Sequence, residues 1–329
     1  MKKFINNVDD LLVESLSGFA AAHKDLVSLH LDPHYVFRAQ KATNKVALIS
    51  GGGSGHEPLH SGFIGYGMLD AACPGHVFTS PTPDQMLAAA EAVHAGRGVL
   101  FIVKNYAGDI MNFEMASEML PFDNATVLTS DDVAVENSTY TTGRRGVAGT
   151  VIVEKVVGSL AETGADLAAC KALGNKVNSR IASMGVALTS CTVPAAGRPT
   201  FDIGEHELEM GVGIHGEPGR RREAMRPADA IVADLVAAIL EDLKPARGSE
   251  VLLMINGFAG TPLMELYVIY NMAARLLQQH GLTISRSLVG NYTTALDMAG
   301  ASVTVCLLDD EIRKHWDAPV HTPALRWGK

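Results

Sequence analysis

The chain lacks most of the signatures that would assign it quickly. Its four cysteines, Cys73, Cys170, Cys191 and Cys306, contain no C-x-x-C pair, which points to reduced thiols in a core rather than to a disulfide framework or a structural zinc site. No apolar run follows the basic start at Lys2 and Lys3, so neither a secretory signal nor a membrane span is indicated, and we expect a cytoplasmic protein. Positive charge is in deficit. With 27 Lys and Arg against 36 Asp and Glu, the net charge of -9 argues against nucleic acid or an anionic membrane as a partner. The only Gly-Lys pair is Gly328-Lys329, so there is no Walker A loop. The dinucleotide fingerprint fails too, because counting from Gly51 puts His56, and from Gly53 puts Pro58, where its last glycine belongs. There is no internal repeat and no low-complexity tract.

What is present is an ordinary globular composition, 47% hydrophobic and 19% charged over 329 residues, enough for two domains. Apolar, β-branched runs recur at 46–49, 99–103, 186–188, 251–255, 284–289 and 303–308. Helical stretches separate several of them. Thr82 and Gln85 are spaced as a capping box before a helix over 83–95, with Pro83 at its first position and Gly96 beyond its end. Thr261 and Pro262 open a second helix that runs to His280 and stops at Gly281. This alternation predicts an α/β protein of two domains, 1–183 and 184–329, each a mixed or largely parallel β-sheet flanked by helices. The glycine-rich and charged segment 204–227 reads as one long loop. Met68, Met86, Met111, Met115 and Met119 read as core fillers. Arg144-Arg145 and Arg220-Arg221-Arg222 read as solvated surface, and Trp316 and Trp327 as packing for the C-terminal tail.

Three loops carry residues capable of chemistry. After the run at 46–49 comes Gly51-Gly52-Gly53-Ser54-Gly55-His56-Glu57, where backbone N–H groups can approach a ligand closely or simply make a tight turn. Its His56-Glu57-Pro58-Leu59-His60 matches the H-E-x-x-H zinc pattern. Pro58 and the preceding glycines argue against the helix that pattern needs, and we expect no metal here. After the run at 99–103 comes Lys104-Asn105-Tyr106-Ala107-Gly108-Asp109, either a cation and a base at a strand end or a surface ion pair. The third, Gly211-Val212-Gly213-Ile214-His215-Gly216-Glu217-Pro218-Gly219, surrounds one histidine with four glycines. Those glycines leave the imidazole uncrowded, as a nucleophile or general base requires.

Together the loops resemble the dihydroxyacetone-binding subunit of dihydroxyacetone kinases. The likeness extends to Phe78-Thr79-Ser80-Pro81-Thr82-Pro83, Tyr140-Thr141-Thr142-Gly143-Arg144-Arg145-Gly146, Cys191-Thr192-Val193-Pro194-Ala195-Ala196-Gly197 and the tail from Trp316 to Ala324. It runs almost from end to end. The resemblance implies a homodimer in which His215 attacks the ketone carbon of dihydroxyacetone to give a hemiaminal. It implies that Asp109 accepts the proton of the terminal hydroxyl, that His56 hydrogen-bonds the substrate and assists as acid or base, and that Gly53, Ser54, Gly55, Ser80 and Lys104 complete the pocket. A neutral imidazole adding to a carbonyl would favour ketoses and aldoses over glycerol.

Single-chain ATP-dependent members carry a further nucleotide-binding domain, and this sequence stops at Lys329. The resemblance therefore implies an ADP-binding kinase subunit as partner, with ADP or ATP and magnesium on it, recharged by a phosphoryl-donor protein of the phosphotransferase system. No cofactor is expected on this chain. Two stretches depart from relatives: the segment between Leu243 and Val251 is short, and Asn256-Gly257-Phe258-Ala259-Gly260-Thr261-Pro262 places its glycines differently. The alternatives are a ketose-sensing coactivator without kinase activity, or a kinase for another short ketose such as erythrulose.

Overall fold

A computed structural model describes residues 2–139 and 141–329, so Tyr140 of the motif above lies outside the described residues. In chain order the elements are α1 (Leu11–Ala22), β1 (Val27–Leu31), β2 (His34–Arg38), β3 (Ala47–Ser54), β4 (Ala71–Val77), α2 (Pro83–Val93), β5 (Val99–Lys104), α3 (Ala107–Met119), β6 (Asn124–Thr129), α4 (Gly149–Glu162), α5 (Leu167–Asn178) and β7 (Ile181–Ala187). There follow β8 (Glu207–Met210), β9 (Arg221–Ala224), α6 (Ala228–Leu243), β10 (Glu250–Gly257), α7 (Leu263–Gln279), β11 (Thr283–Gly290), β12 (Gly300–Leu307), α8 (Asp310–Asp317), β13 (Val320–His321) and β14 (Arg326–Trp327).

Strands β4, β3, β5 and β6 lie side by side and parallel, with β2 and then β1 added antiparallel at one edge. The second sheet has the order β11-β10-β12-β7-β8-β9; β10 pairs parallel with β11 and the other neighbours pair antiparallel. This is the expected architecture of mixed or largely parallel sheets flanked by helices. Because strand side chains alternate between faces, Leu48, Leu100 and Ile102 pack towards α4 and α5, whereas Ala47, Ile49, Phe101 and Val103 pack towards α2 and α3. Helix α4 is buried along most of its length, since Ile312 and Trp316 of α8 join the same core. Trp316 and Trp327 pack at 5.4 Å, as expected of the tail. A further core forms where α6 and α7 cover the second sheet. All four cysteines are buried and free. Among the described residues, no helix is long and apolar enough to cross a membrane.

Helix α2 carries the capping box read from sequence, the Thr82 N–H donating to Gln85 Oε1 at 2.9 Å. Helix α7 begins one residue later than expected. The Thr261 hydroxyl donates to Gly300 O and accepts from Gly300 N–H, which leaves Pro262 as the cap. The stretch 51–54 is not a loop, because β3 continues through it paired with β4, with one register shift between Gly53 and Ser54. Its glycines serve packing: a Cβ on Gly51 would lie 2.6 Å from Cys73 O, and one on Gly53 2.6 Å from Thr79 N. Segment 204–227 is a hairpin of β8 and β9 with the His215 loop at its tip, not a single loop. Met68 and Met86 are core residues, but Met111, Met115 and Met119 are exposed. Their four-residue spacing puts them on the outer face of α3, opposite Phe113 and Ala116. Arg145, read as surface, is fully buried. Its guanidinium donates to Asp132 and, at 2.7 Å, to Gly211 O.

Candidate active site

The C-terminal ends of the parallel strands converge, as strand order in an open α/β sheet dictates. The chain leaving β4 supplies Ser80, and the chain leaving β5 supplies Tyr106 and then Asp109 in the first turn of α3. A carboxylate there is favoured by the helix N-terminus. Ser80 Oγ–H donates to Asp109 Oδ1 at 2.5 Å, and Asp109 is only 3% exposed. Over this floor hangs the β8–β9 hairpin with His215. The cavity between them has a volume of about 780 Å³, and Gly53, Ser80, Asp109 and His215 line it together with Tyr106 and Arg198.

The His215 loop is held from below. Gly211 and Gly216 take positive φ values of 81° and 78°, conformations open to glycine at no steric cost. A Cβ on Gly213 would lie 2.0 Å from Glu217 Oε2 and 2.7 Å from an Arg145 nitrogen, so its absence admits both groups beneath the loop. Glu217 accepts from the His215 backbone N–H at 2.9 Å and from His215 Nδ1 at 2.9 Å. Burial alone would raise the Glu217 carboxyl, but His215, the hydrogen bond from it and the Arg145 guanidinium outweigh burial and take it to about 2. Glu217 is therefore a carboxylate, so Nδ1 carries the proton that faces it and, in the neutral form of the ring, Nε2 holds the lone pair. The glycines do not leave the ring uncrowded, as the sequence suggested. Tyr106, Phe78 and His56 surround it with ring centroids at 4.7, 5.1 and 4.6 Å.

His56 is buried behind His215 and stacks on Phe78 at 5.0 Å. Its Nδ1–H donates to Thr294 O at 2.7 Å, and Nε2 is buried with no partner among the described residues. Burial first, then His215 and Lys104, hold its pKa well below the ordinary histidine value. It is thus a neutral ring with a free acceptor. The Tyr106 hydroxyl is likewise buried with no partner among the described residues, and burial, with Glu217 next, raises its pKa well above the ordinary value. Two unpaired polar atoms next to one histidine cost stability unless something binds them.

Of the residues singled out from sequence, Gly53, Ser80, Asp109 and His215 meet at the cavity. His56 lies one layer behind, against the His215 ring. Lys104 also lies behind the wall, with Nζ 3.5 Å from Asp109 Oδ2 and packed so closely that a Cβ on Gly52 would lie 2.2 Å from it. Ser54 Oγ donates to Gly75 O, and Gly55 N–H donates to the Glu57 carboxylate; both residues border a second cavity of about 490 Å³ beneath α1. The zinc-like histidines have other partners, His56 with Thr294 and His60 with Glu154 and Lys104. Sequence reading passed over Tyr106, Glu217 and Arg145 as site residues. The first sits between Lys104 and Asp109, and the second two residues after His215, signals that were there to use. Arg145 gave none, since its role depends on Asp132 and on a loop 66 residues away.

Fold and site together define a mixed α/β protein with one cavity placed between a carboxylate-held imidazole and an aspartate at a strand end. Comparison with known proteins places it further. Residues 17–324 match the Dak1 domain family, and the chain belongs to that family. It is 50% identical to the PEP-dependent dihydroxyacetone kinase, dihydroxyacetone-binding subunit, of Escherichia coli K12, over 100% of each chain. It is 45% identical to the corresponding PTS-dependent subunit of Lactococcus lactis, over 99% of each. Among solved structures it resembles a dihydroxyacetone kinase operon co-activator, with a TM-score of 0.89 at 32% identity over 94% of this chain and 97% of that one. It also resembles the dihydroxyacetone kinase of C. freundii, with a TM-score of 0.86 at 35% identity, covering 98% of this chain and 60% of that chain.

Proposed function

We propose that this chain is the dihydroxyacetone-binding subunit of a phosphotransferase-system dihydroxyacetone kinase, holding the ketose on His215 while Asp109 activates its terminal hydroxyl. The observation that carries this reading is the pair of opposed groups on one cavity: an imidazole fixed as the Nδ1–H tautomer by Glu217 and a carboxylate oriented by Ser80. Full-length identity to subunits bearing that description supports it. Nε2 of His215 adds to the ketone carbon, the carbonyl oxygen takes up a proton and the imidazolium so formed gives up its own, leaving a neutral hemiaminal. His56 Nε2 and the Tyr106 hydroxyl are free to hydrogen-bond the substrate's oxygens. Asp109 then takes the terminal hydroxyl proton as that oxygen attacks phosphorus and the bond to the donor breaks. Anchoring supplies alignment, the main requirement of phosphoryl transfer.

On this reading the phosphoryl group comes from an ADP-binding kinase subunit, which carries the nucleotide and magnesium and is recharged by a phosphotransferase-system protein. The chain works as a cytoplasmic homodimer. The likeness to the co-activator makes a sensor the second reading, and relatives described as D-erythrulose and L-erythrulose kinases, at 38% and 36% identity, make erythrulose the alternative substrate. The deciding experiment reconstitutes the chain with both partner proteins and offers dihydroxyacetone, glyceraldehyde and erythrulose. Fast phosphorylation of dihydroxyacetone is the expected result. Binding without turnover would establish the sensor, and a preference for erythrulose would reassign the substrate. Carbon-13 NMR of ketose labelled at C2 should show a tetrahedral carbon with the wild type and none with His215→Ala.

A further inference from the structure

Behind the cavity a file of buried polar side chains runs from Asp109 into the middle of α4. Lys104 Nζ lies 3.5 Å from Asp109 Oδ2, 3.2 Å from Gly51 O and 2.9 Å from His60 Nε2. His60 Nδ1 lies 2.6 Å from Glu154 Oε1 and 3.0 Å from Ser50 Oγ, whose own proton goes to Ile102 O. Lys104, His60 and Glu154 are each less than a tenth exposed, and none of the three lines the cavity of about 780 Å³. Glu154 sits at the centre of a helix whose other inward residues are mostly valine, isoleucine and alanine. An ionisable carboxyl there costs stability that an apolar residue would not. Its Oε2 atom has no partner at all among the described residues.

The donor and acceptor inventory allows one proton arrangement in which every contact of this file is satisfied. A protonated lysine can only donate, so His60 must accept at Nε2 and carry its proton on Nδ1. Glu154 must then accept, and does so as a carboxylate. When Glu154 takes a proton and donates it to His60 Nδ1, the ring proton moves to Nε2 and Lys104 loses its acceptor. We propose that Glu154, acting through the tautomer of His60, is a positioning residue that keeps Lys104 set as a charged donor against Asp109. This rests on the reading of Asp109 as the base.

The other titratable side chains facing this file are His56, whose pKa Lys104 helps to lower, and Tyr106, on which Asp109 acts. Burial pushes the Glu154 carboxyl up to about 8, with the charge of Lys104 opposing it. Burial likewise, with Lys104 next, keeps His60 neutral. The carboxylate arrangement is therefore completed only as pH rises through that interval.

The test is kcat and ketose KM in the reconstituted complex from about pH 6 to about pH 9.5, for the wild type and Glu154→Gln. The glutamine offers its oxygen to His60 Nδ1–H at every pH and titrates at none. The wild-type kcat should rise with a midpoint near 8 at little change in KM. In Glu154→Gln that rise should vanish, with kcat at the acid end above that of the wild type. Superimposable profiles would overturn the proposal. Nitrogen-15 NMR of the wild type gives a second readout that survives a poorly folded variant: the His60 ring proton should move from Nε2 to Nδ1 over the same interval. A tautomer constant throughout would overturn it. If the wild type phosphorylates no ketose, the proposed function fails, while the tautomer measurement still decides the linkage among Glu154, His60 and Lys104.

Discussion

Glu217 takes two hydrogen bonds from one residue, His215, through its backbone N–H and its imidazole Nδ1, each at 2.9 Å. One buried carboxylate thereby fixes both the loop and the ring. Hydrogen bonds to a charged acceptor contribute roughly 1.5 to 3 kcal/mol. Glu217→Gln should therefore weaken ketose binding by about tenfold to about a hundredfold, measured by calorimetry. Binding as tight as in the wild type would show that His215 needs no carboxylate to hold its tautomer.

Asp109 tests the division of labour across the cavity. Asp109→Asn keeps the shape and the hydrogen bond from Ser80, but removes the base. The tetrahedral carbon on His215 should persist while kcat drops by about a hundredfold to about ten-thousandfold, the usual contribution of a positioned base. Full activity in the variant would move the role of base elsewhere, His56 being the neutral acceptor nearest to His215.

The sequence made legible what depends on local spacing. The capping box at Thr82 and Gln85, the runs that became β5 and β10, and the cluster of Gly53, Ser80, Asp109 and His215 all follow from neighbours within one element or from the family's motifs. What stayed hidden depends on partners distant in sequence. Glycines 51–53 read as a loop because glycine is uncommon within strands, yet Cys73 O and Thr79 N pack too close to Gly51 and Gly53 for a Cβ, and Lys104 Nζ does the same at Gly52. Met111, Met115 and Met119 read as core by residue type, but the face of α3 they occupy is settled by Phe113 and Ala116. Arg145 looked like half of a surface pair until Asp132 and Gly211 O closed around it.

That guanidinium supports the most severe stability prediction. Arg145 and Asp132 are both buried, and Asp132 is raised to about 6 by burial even with Arg145 opposing it. Removing the cation leaves a buried carboxylate uncompensated, at a cost of about 3 to 5 kcal/mol. Arg145→Met should lose that much in urea unfolding. Arg145→Met with Asp132→Asn should recover part of it, because no lone charge then remains. If the double variant is no more stable than the single one, the loss arises from the Gly211 contact instead.

His56 gives a stability test that needs neither substrate nor partner. Its folded-state pKa lies well below the ordinary 6.5, chiefly through burial. Above that value both folded and unfolded chains carry a neutral ring, and the full contribution of His56 is present. As pH falls below 6.5 the unfolded chain takes up a proton that the folded chain refuses, so stability is lost on the acid side. In His56→Asn the amide still donates to Thr294 O but nothing titrates. The wild type should lose stability relative to this variant by about 1.4 kcal/mol for each pH unit below the ordinary histidine value, read from urea unfolding at a series of pH values. A stability difference independent of pH would mean that His56 takes up its proton in the folded protein as readily as in the unfolded one. It could not then be the neutral acceptor beside His215.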